Sequence, residues 1–391
     1  MRFPCPDRES DPGFVFCTIS YDELLRMEII PTSPAELAHA MATAATDSAC
    51  GIIQLRGNGT KDGMAGPLPT SGVTISTRRL TRLLQYEPKD LTISVEAGMP
   101  FAELTKILAE HRQMLPLDPP FSAAATVGGV LAANSNGPRR RLYGTARDMV
   151  IGMTFATLEG KLVRTGGMVV KNVAGLDMGK LMIGSFGTLA AIASVNFRVF
   201  PEPAGTRTFS RHFSTVSEAI TERDRILRST LQPTAIDILK LEDRCEVYIQ
   251  AGGSETVLAR YARELTGFTV LEDNDERRLW ERLREFTPAM LQAHPEAAAV
   301  RCSCTLSEIG AVLESLPPPA LARAGSGVCY AYFIDPEKAK AKGVIEFAPS
   351  PLRQHGPLWP APGTDFAIME KLKQLFDPQR ILNPGRLYGR I

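Results

Sequence analysis

Gly51-Ile52-Ile53-Gln54-Leu55, followed at once by Arg56-Gly57-Asn58-Gly59-Thr60-Lys61, is the stretch on which the fold turns. A short apolar strand runs into a loop whose glycines lie two apart. Glycine permits φ > 0 and lets consecutive backbone N–H groups converge on an oxyanion, so this is what a phosphate cradle needs, with a diphosphate as its natural ligand. The familiar nucleotide motifs do not fit. Gly57, Gly59 and Gly63 miss the G-x-G-x-x-G spacing, and no Gly-Lys-Ser/Thr follows. Alone, the loop reads equally well as a plain turn.

Three further segments in the same half of the chain change that balance. Ala123 to Asn134, AAATVGGVLAAN, offers backbone and small side chains to a flat ligand, with Thr126 and Asn134 as donors. Gly137-Pro138 through Tyr143-Gly144-Thr145-Ala146-Arg147-Asp148 adds a basic run. Val169 to Asp177, VVKNVAGLD, leads into a helix ending at Gly184-Ser185-Phe186-Gly187-Thr188-Leu189. Each has an ordinary explanation as close packing or a solvated loop, but four such sites inside one domain do not. From Pro116 to Asn136 the side chains are too small to fill a core, so something else must fill that space.

Strands and helices alternate around these segments. Ser33-Pro34-Ala35-Glu36 is a capping box with proline at the first helical position, and predicts a helix to about residue 45. Strands are expected at 73–76, 91–95 and 189–199, a helix from Pro100, and a hairpin over 149–165 that turns at Glu159-Gly160. Pro201-Glu202-Pro203 closes the unit. Beyond it, helices at 217–227, 255–265 and 275–286 alternate with strands at 235–241, 246–251, 297–304 and 325–333. An amphipathic helix at 364–376 precedes the turn Asn383-Pro384-Gly385. The expected organisation is an N-terminal extension (1–30), a ligand-binding domain (31–203), an α+β cap (204–363) and a C-terminal helix and tail (364–391) that returns to the first domain.

In this order, R-G-x-G-T, T-V-G-G-x-L-A-A-N, Y-G-x-x-R-D-M-V-I-G and G-S-F-G-T-L resemble the two-subdomain FAD-binding domain of the vanillyl-alcohol oxidase / PCMH flavoprotein superfamily. The Asn383-Pro384-Gly385 tail is typical of its hydroxy-acid dehydrogenase branch. Within that branch, Val170 to Asp177 and Phe376 to Tyr388 look most like the FAD-binding E subunits of bacterial glycolate oxidases. The resemblance implies an α+β fold of PCMH type with a smaller cap, and FAD as cofactor. It implies that Arg56, Gly57, Asn58, Gly59, Thr60 and Lys61 hold the pyrophosphate, with Thr126, Val127, Gly128 and Gly129 bracketing it. Pro116, Ala132, Asn134, Gly137, Asp148, Lys171, Asn172, Gly175, Asp177, Ile192 and Ser194 would line the rest. Members with covalent flavin place a histidine in the first loop, where this chain has Thr60, so the FAD is expected to be non-covalent.

Catalysis is where the chain departs from the branch. The related metal motif H-x-G-D-G-N-x-H and the E-H-G segment are missing, and the five histidines, 39, 111, 212, 294 and 355, are scattered. No metal is therefore expected, and the catalytic residues are not identified. Arg301 and Arg323 suit a carboxylate, yet sequence attaches no base to either. Seven cysteines, odd in number and dispersed, form neither a disulfide framework nor the spacing of an iron-sulfur site; Cys302 and Cys304 read as alternating strand residues. A net charge of +1 supplies no field for nucleic acid or anionic lipid, and no apolar run approaches the roughly 20 residues of a spanning helix. The N-terminus lacks the pattern of a signal peptide. What the resemblance implies is a cytoplasmic flavoprotein subunit, peripheral at the membrane through partners, that oxidises glycolate to glyoxylate. A second flavoprotein subunit and an iron-sulfur subunit would complete the complex, the isolated chain being catalytically incomplete. A self-sufficient dehydrogenase of another hydroxy acid or alcohol, and a non-catalytic FAD-bearing relay, are the alternatives.

Overall fold

A short strand β1 (Glu28–Ile29) precedes helix α1 (Pro34–Thr46), which opens where the capping residues place it: the Ser33 hydroxyl accepts the Glu36 N–H at 3.2 Å. The reciprocal half of the box is displaced by one residue, because the Glu36 carboxylate accepts from the backbone and hydroxyl of Thr32 instead. These coordinates are a computed structural model describing residues 2–3, 17–18, 27–47, 50–169, 177–340, 342–356 and 358–391. Lys171, Asn172 and Gly175 of the expected site lie outside the described residues, as does most of the N-terminal extension.

Strands β2 (Ile53–Arg56) and β3 (Val73–Ser76) join β1 in a parallel sheet of order β1-β3-β2. Helix α1 shares one core with this sheet and the next, as Leu37 and Met41 pack with Ile53, Ile75, Ala156, Ala191 and Ala193. The second subdomain contains β4 (Leu83–Glu87), β5 (Thr92–Glu96), α2 (Phe101–Ala109), α3 (Val127–Ala132), β6 (Val150–Ala156), β7 (Leu162–Gly166), α4 (Met178–Met182) and β8 (Ala191–Arg198). Its antiparallel sheet has the order β7-β6-β8-β5-β4. The expected hairpin is β6–β7, with Gly160 at φ +76°. Strand β5 starts at Thr92 because Leu91 sits at φ +55°. Strand β4 escapes a sequence reading: Leu83-Leu84-Gln85-Tyr86-Glu87 has no alternation and is largely exposed, so only pairing with β5 makes it a strand.

The cap is one antiparallel sheet of eight strands. In chain order its main elements are β9 (Gly205–Phe213), α5 (Val216–Arg228), β10 (Ala235–Lys240), β11 (Cys245–Gly253), α6 (Glu255–Glu264), β12 (Thr269–Leu271), α7 (Asp273–Arg284), α8 (Phe286–Ala293), β13 (Ala298–Ser303), α9 (Ile309–Ser315), β14 (Ala320–Arg323), β15 (Val328–Phe333) and β16 (Val344–Phe347), with short helices at Pro336–Lys340 and Ser350–His355 besides. The strand order is β12-β9-β11-β10-β14-β15-β13-β16. Its back buries Ile236, Val247, Val300, Cys302, Cys329 and Ala331 under α5, α6 and α9. On the front, Leu279 and Leu283 of α7 cover only one end, against Leu239, Tyr248 and Leu321. Strands β9, β12, β14 and β16 lie beyond the sequence reading, being polar, short or built of small residues.

The other end of the front faces the glycine loops. Edge strand β16 bridges Met64 through Phe347, with Ala65 N–H donating to the Glu346 carbonyl and Ala348 N–H to the Gly63 carbonyl, each at 3.2 Å. The last helix, α10 (Phe366–Phe376), ends in a buried ion pair, Lys373 Nζ to Asp377 at 2.6 Å. Lys373 also donates to the carbonyls of Thr188 (2.9 Å) and Leu382 (2.7 Å). The tail then lies beside β2, Leu382 pairing with Ile53.

Candidate functional site: a cationic loop cradle facing the cap sheet

After β2 the chain turns sharply, and none of the backbone N–H groups of Gly57, Asn58, Gly59, Thr60 and Lys61 has an acceptor among the described residues. Five consecutive unspent donors make an anion cradle, since unpaired backbone groups are rare in a folded chain. Glycine is required at two of these positions: Gly59 sits at φ +76°, and a Cβ on Gly57 would lie 2.4 Å from Thr126 Oγ1. The second loop is thereby in contact with the first. The Asn58 amide donates to the Ala124 carbonyl at 2.9 Å, and Lys61 Nζ to the Pro120 carbonyl at 3.0 Å.

The electrostatics match the geometry. Burial pulls Lys61 down to about 8, partly offset by Glu346 and Glu285. Burial also pulls Arg386 down to about 10, with Arg353 adding repulsion. Arg386 donates to the carbonyls of Gly66 (2.7 Å) and Lys61 (3.2 Å), while Arg353 donates to that of Asp62 (2.8 Å). Arg56 pairs with Asp62 at 2.6 Å. Crowded, desolvated cations beside free N–H groups are relieved by a bound polyanion, which is how these residues fit the diphosphate of FAD.

Of the residues expected from sequence, Arg56, Gly57, Asn58, Gly59, Thr60, Lys61, Thr126, Gly129 and Ala132 line one cleft, together with Phe186, Asn383 and Arg386. The others are placed differently. Thr126 acts as an acceptor rather than a donor: its hydroxyl caps α3 by taking the Gly129 N–H at 3.2 Å. Val127 and Gly128 N–H are spent on the carbonyls of Met99 and Ala97, and a Cβ on Gly128 would meet Ala97 Cβ at 2.9 Å. Pro116 is buried and Gly137 lies against Asp118. Asn134 holds φ +49° at the end of α3, where Asn136 donates to its carbonyl. Asp148 accepts from the N–H and hydroxyl of Thr145, capping a short helix. Asp177 caps α4. Ile192 and Ser194 sit in β8, both buried.

Two tail residues complete the cleft without any signal that assigns them a role in sequence. Asn383 accepts the Leu55 N–H at 2.9 Å and donates to the Phe186 carbonyl at 2.8 Å, tying the strand before the cradle to the last glycine loop. Arg386 follows three residues on. A turn signal marks the segment, but its partners lie 197 to 328 residues away.

Facing the cradle, the front of the cap sheet carries charge. Arg301 of β13 pairs with Glu346 of β16 at 3.2 Å and Arg323 of β14 pairs with Asp237 of β10. Sequence attached no acid to either arginine; cross-strand pairing supplies both. Tyr330 and Tyr332 of β15 project on the same face, and burial pushes both phenols up. Among the described residues, no group of three His, Cys, Asp or Glu side chains is arranged to hold a metal ion.

The two-subdomain fold, the loop cradle and the sheet that faces it define an FAD-linked oxidoreductase of PCMH type. Residues 26–166 match the FAD binding domain family, and residues 361–387 match the C-terminal domain of FAD linked oxidases. The chain is 31% identical to Glycolate oxidase subunit GlcE of Escherichia coli over 83% of its own length and 89% of that protein. It is 23% identical to Glycolate oxidase subunit GlcD of Bacillus subtilis, over 95% of the chain and 91% of that protein. D-lactate dehydrogenase of Archaeoglobus fulgidus is 28% identical over 54% of the chain and 47% of that protein. A solved alkyldihydroxyacetonephosphate synthase superposes with a TM-score of 0.71 at 18% identity, covering 91% of this chain and 75% of that one, which shows the shared fold. The chain belongs to the family of FAD-linked oxidoreductases that contains the glycolate oxidase subunits. Its cofactor is FAD, and no helix among the described residues is long and apolar enough to cross a membrane.

Proposed function

We propose that the chain is the FAD-carrying subunit of an assembly that oxidises glycolate to glyoxylate and passes the electrons to an iron-sulfur partner, with a second flavoprotein subunit in the same complex. The observation that carries this reading is the likeness to GlcE, a protein named as a subunit, along most of both chains. When bound, FAD supplies the two-electron acceptor for a hydride from the substrate carbon. Residues 31–203 with 364–391 form the flavin domain in this reading, and 204–363 the cap.

The free N–H groups of Gly57 to Lys61 hold the diphosphate, with Arg56, Lys61 and Arg386 neutralising it. Thr126, Val127, Gly128 and Gly129 hold α3 against that loop. Pro116, Ala132, Asn134, Gly137, Ile192 and Ser194 bound the rest of the cofactor, Asp148 and Asp177 acting through the helices they cap. The protein works in the cytoplasm, at the inner face of the membrane through its partners.

Purification of the tagged chain from its native host tests the assembly. The expected result is co-purification with a second flavoprotein and an iron-sulfur protein, with glycolate-dependent dye reduction by the complex. A chain that purifies without such partners contradicts the assembly, and points to a self-sufficient dehydrogenase.

A further inference from the structure

Three side chains on the open part of the cap sheet converge from three strands. Arg301 and Tyr330 are direct cross-strand partners, so both stand on one face. Glu346 reaches that face through a bulge: Ala299 is opposite Phe347 and Val300 is opposite Ile345, which leaves Glu346 as the extra residue. A bulge re-aims a side chain, and bulges are enriched beside active sites. Here it turns the carboxylate toward Arg301 on the next strand and Lys61 on the cradle loop.

We propose that Arg301, aided by the Tyr330 hydroxyl, anchors the carboxylate of a small 2-hydroxy acid and that Glu346 accepts the hydroxyl proton as the acid is oxidised. The proposal rests on the reading above for the reaction itself. Free hydrogen-bonding capacity selects these residues over their neighbours. Arg323 is buried, held by Asp237 and by the Leu283 carbonyl at 2.9 Å, so it has little to offer a ligand. Arg301 spends Nε on Glu346 and one Nη on the Ser303 hydroxyl at 2.8 Å; its other Nη has no partner among the described residues, and a third of the side chain is exposed. The Tyr332 hydroxyl is engaged with Thr287 at 2.8 Å, whereas that of Tyr330 has no hydrogen-bond partner among the described residues. A guanidinium with an unspent N–H beside a free phenol is a carboxylate site.

Glu346 suits the second role. Burial raises its pKa, opposed by Arg301 and Lys61, which moves it toward the range of a general base at neutral pH. In the step, the substrate's C–H bond breaks and its electron pair leaves as hydride to the flavin. The O–H bond breaks too, its proton passing to a Glu346 oxygen, and the carbon–oxygen bond becomes the carbonyl of a 2-oxo acid. Ala299, Phe347 and Phe121 wall the same junction, which suits a short acid.

Oxalate, a dicarboxylate with no hydrogen to give up, tests the anchor without turnover. Its binding to the FAD-loaded chain is followed by perturbation of the flavin spectrum and by calorimetry. Arg301→Gln is expected to weaken oxalate about ten- to a hundredfold, the range of a charge-assisted hydrogen bond. Tyr330→Phe should weaken it severalfold, and serves if Arg301→Gln does not hold FAD. Glu346→Gln should bind oxalate at least as tightly as the parent, because it frees Arg301, yet lose glycolate-dependent bleaching.

The parent's oxalate affinity should also rise as the pH falls below neutral and Glu346, whose pKa burial raises, takes up a proton. Arg301, Lys61, Tyr330 and Tyr332 are the other titratable groups facing Glu346, and none changes charge in that window; the dependence should vanish in Glu346→Gln. Unchanged oxalate binding in both Arg301→Gln and Tyr330→Phe overturns the proposal, and so does parental bleaching by Glu346→Gln. If the parent is bleached by glycolate while those variants behave like it, the proposal falls and the reading above stands. If oxalate binding depends on Arg301 but glycolate reduces neither the parent chain nor its assembly, the anchor stands and the reading falls.

Discussion

The loop cradle and the cap sheet meet where Met64 bridges Phe347, yet they are built on opposite principles. In the cradle the working groups are backbone N–H donors on consecutive residues, and the side chains matter chiefly by being absent. On the cap sheet the working groups are side chains from separate strands, brought together by register. A substitution in the cradle is therefore expected to act on cofactor retention, and one on the sheet on what the retained cofactor meets.

The largest effects are expected in the cradle. Gly59→Val places a β-branched residue at φ +76° with its Cβ 2.5 Å from Arg56 Nη2, and Gly128→Val drives a side chain into Ala97. Both should purify colourless, read as the ratio of visible flavin absorbance to protein absorbance. Full yellow colour in both would mean the cradle is not where FAD sits. Because Thr60 stands where covalent members carry histidine, acid precipitation of the parent should release all of its flavin to the supernatant. A yellow pellet would contradict that.

That contrast also explains what could be read from sequence. Gly57, Gly59, Gly128 and Gly129 advertise themselves because a cradle is local and glycine has few other reasons to cluster. Thr126 lies against Gly57, but its hydroxyl accepts rather than donates, since capping α3 consumes it. Asn383 and Arg386 carry a turn signal and a family resemblance but no assigned role in sequence, because their contacts with Leu55, Phe186 and Lys61 are hidden by sequence separation. Arg301 was visible as a carboxylate binder without a base. Glu346 lies forty-five residues on, in a four-residue strand that no periodicity marks, and a bulge brings it there.

A smaller effect tests the link between the tail and the cradle. Lys373→Met leaves the fully buried Asp377 carboxylate without its cation, which costs about 3–5 kcal/mol. The urea midpoint should fall accordingly, and FAD should dissociate faster because Asn383 and Arg386 ride on that tail. Parental stability and parental flavin release in this variant would show that the two are uncoupled.

The smallest effect is a pH dependence that separates the two regions. Lys61 is held at about 8 before the cofactor binds, chiefly by burial, and a diphosphate favours its charged form. Its contribution to FAD binding is therefore complete below that value and lost as the pH rises above it. FAD affinity should fall roughly three- to tenfold between about pH 7 and 9 in the parent, and stay level in Lys61→Gln. An equal slope in both, measured by quenching of flavin fluorescence, would remove Lys61 from the cofactor's surroundings.

The central claim is that FAD held in the cradle takes electrons from a 2-hydroxy acid lying against the cap sheet of this same chain. Anaerobic mixing of the purified FAD-loaded chain with glycolate measures this directly. The account predicts bleaching of the visible flavin band in a single turnover without any partner, the partners being needed only to carry the electrons away. A flavin that dithionite reduces but glycolate leaves oxidised, in a chain that retains its full complement of FAD, would contradict it.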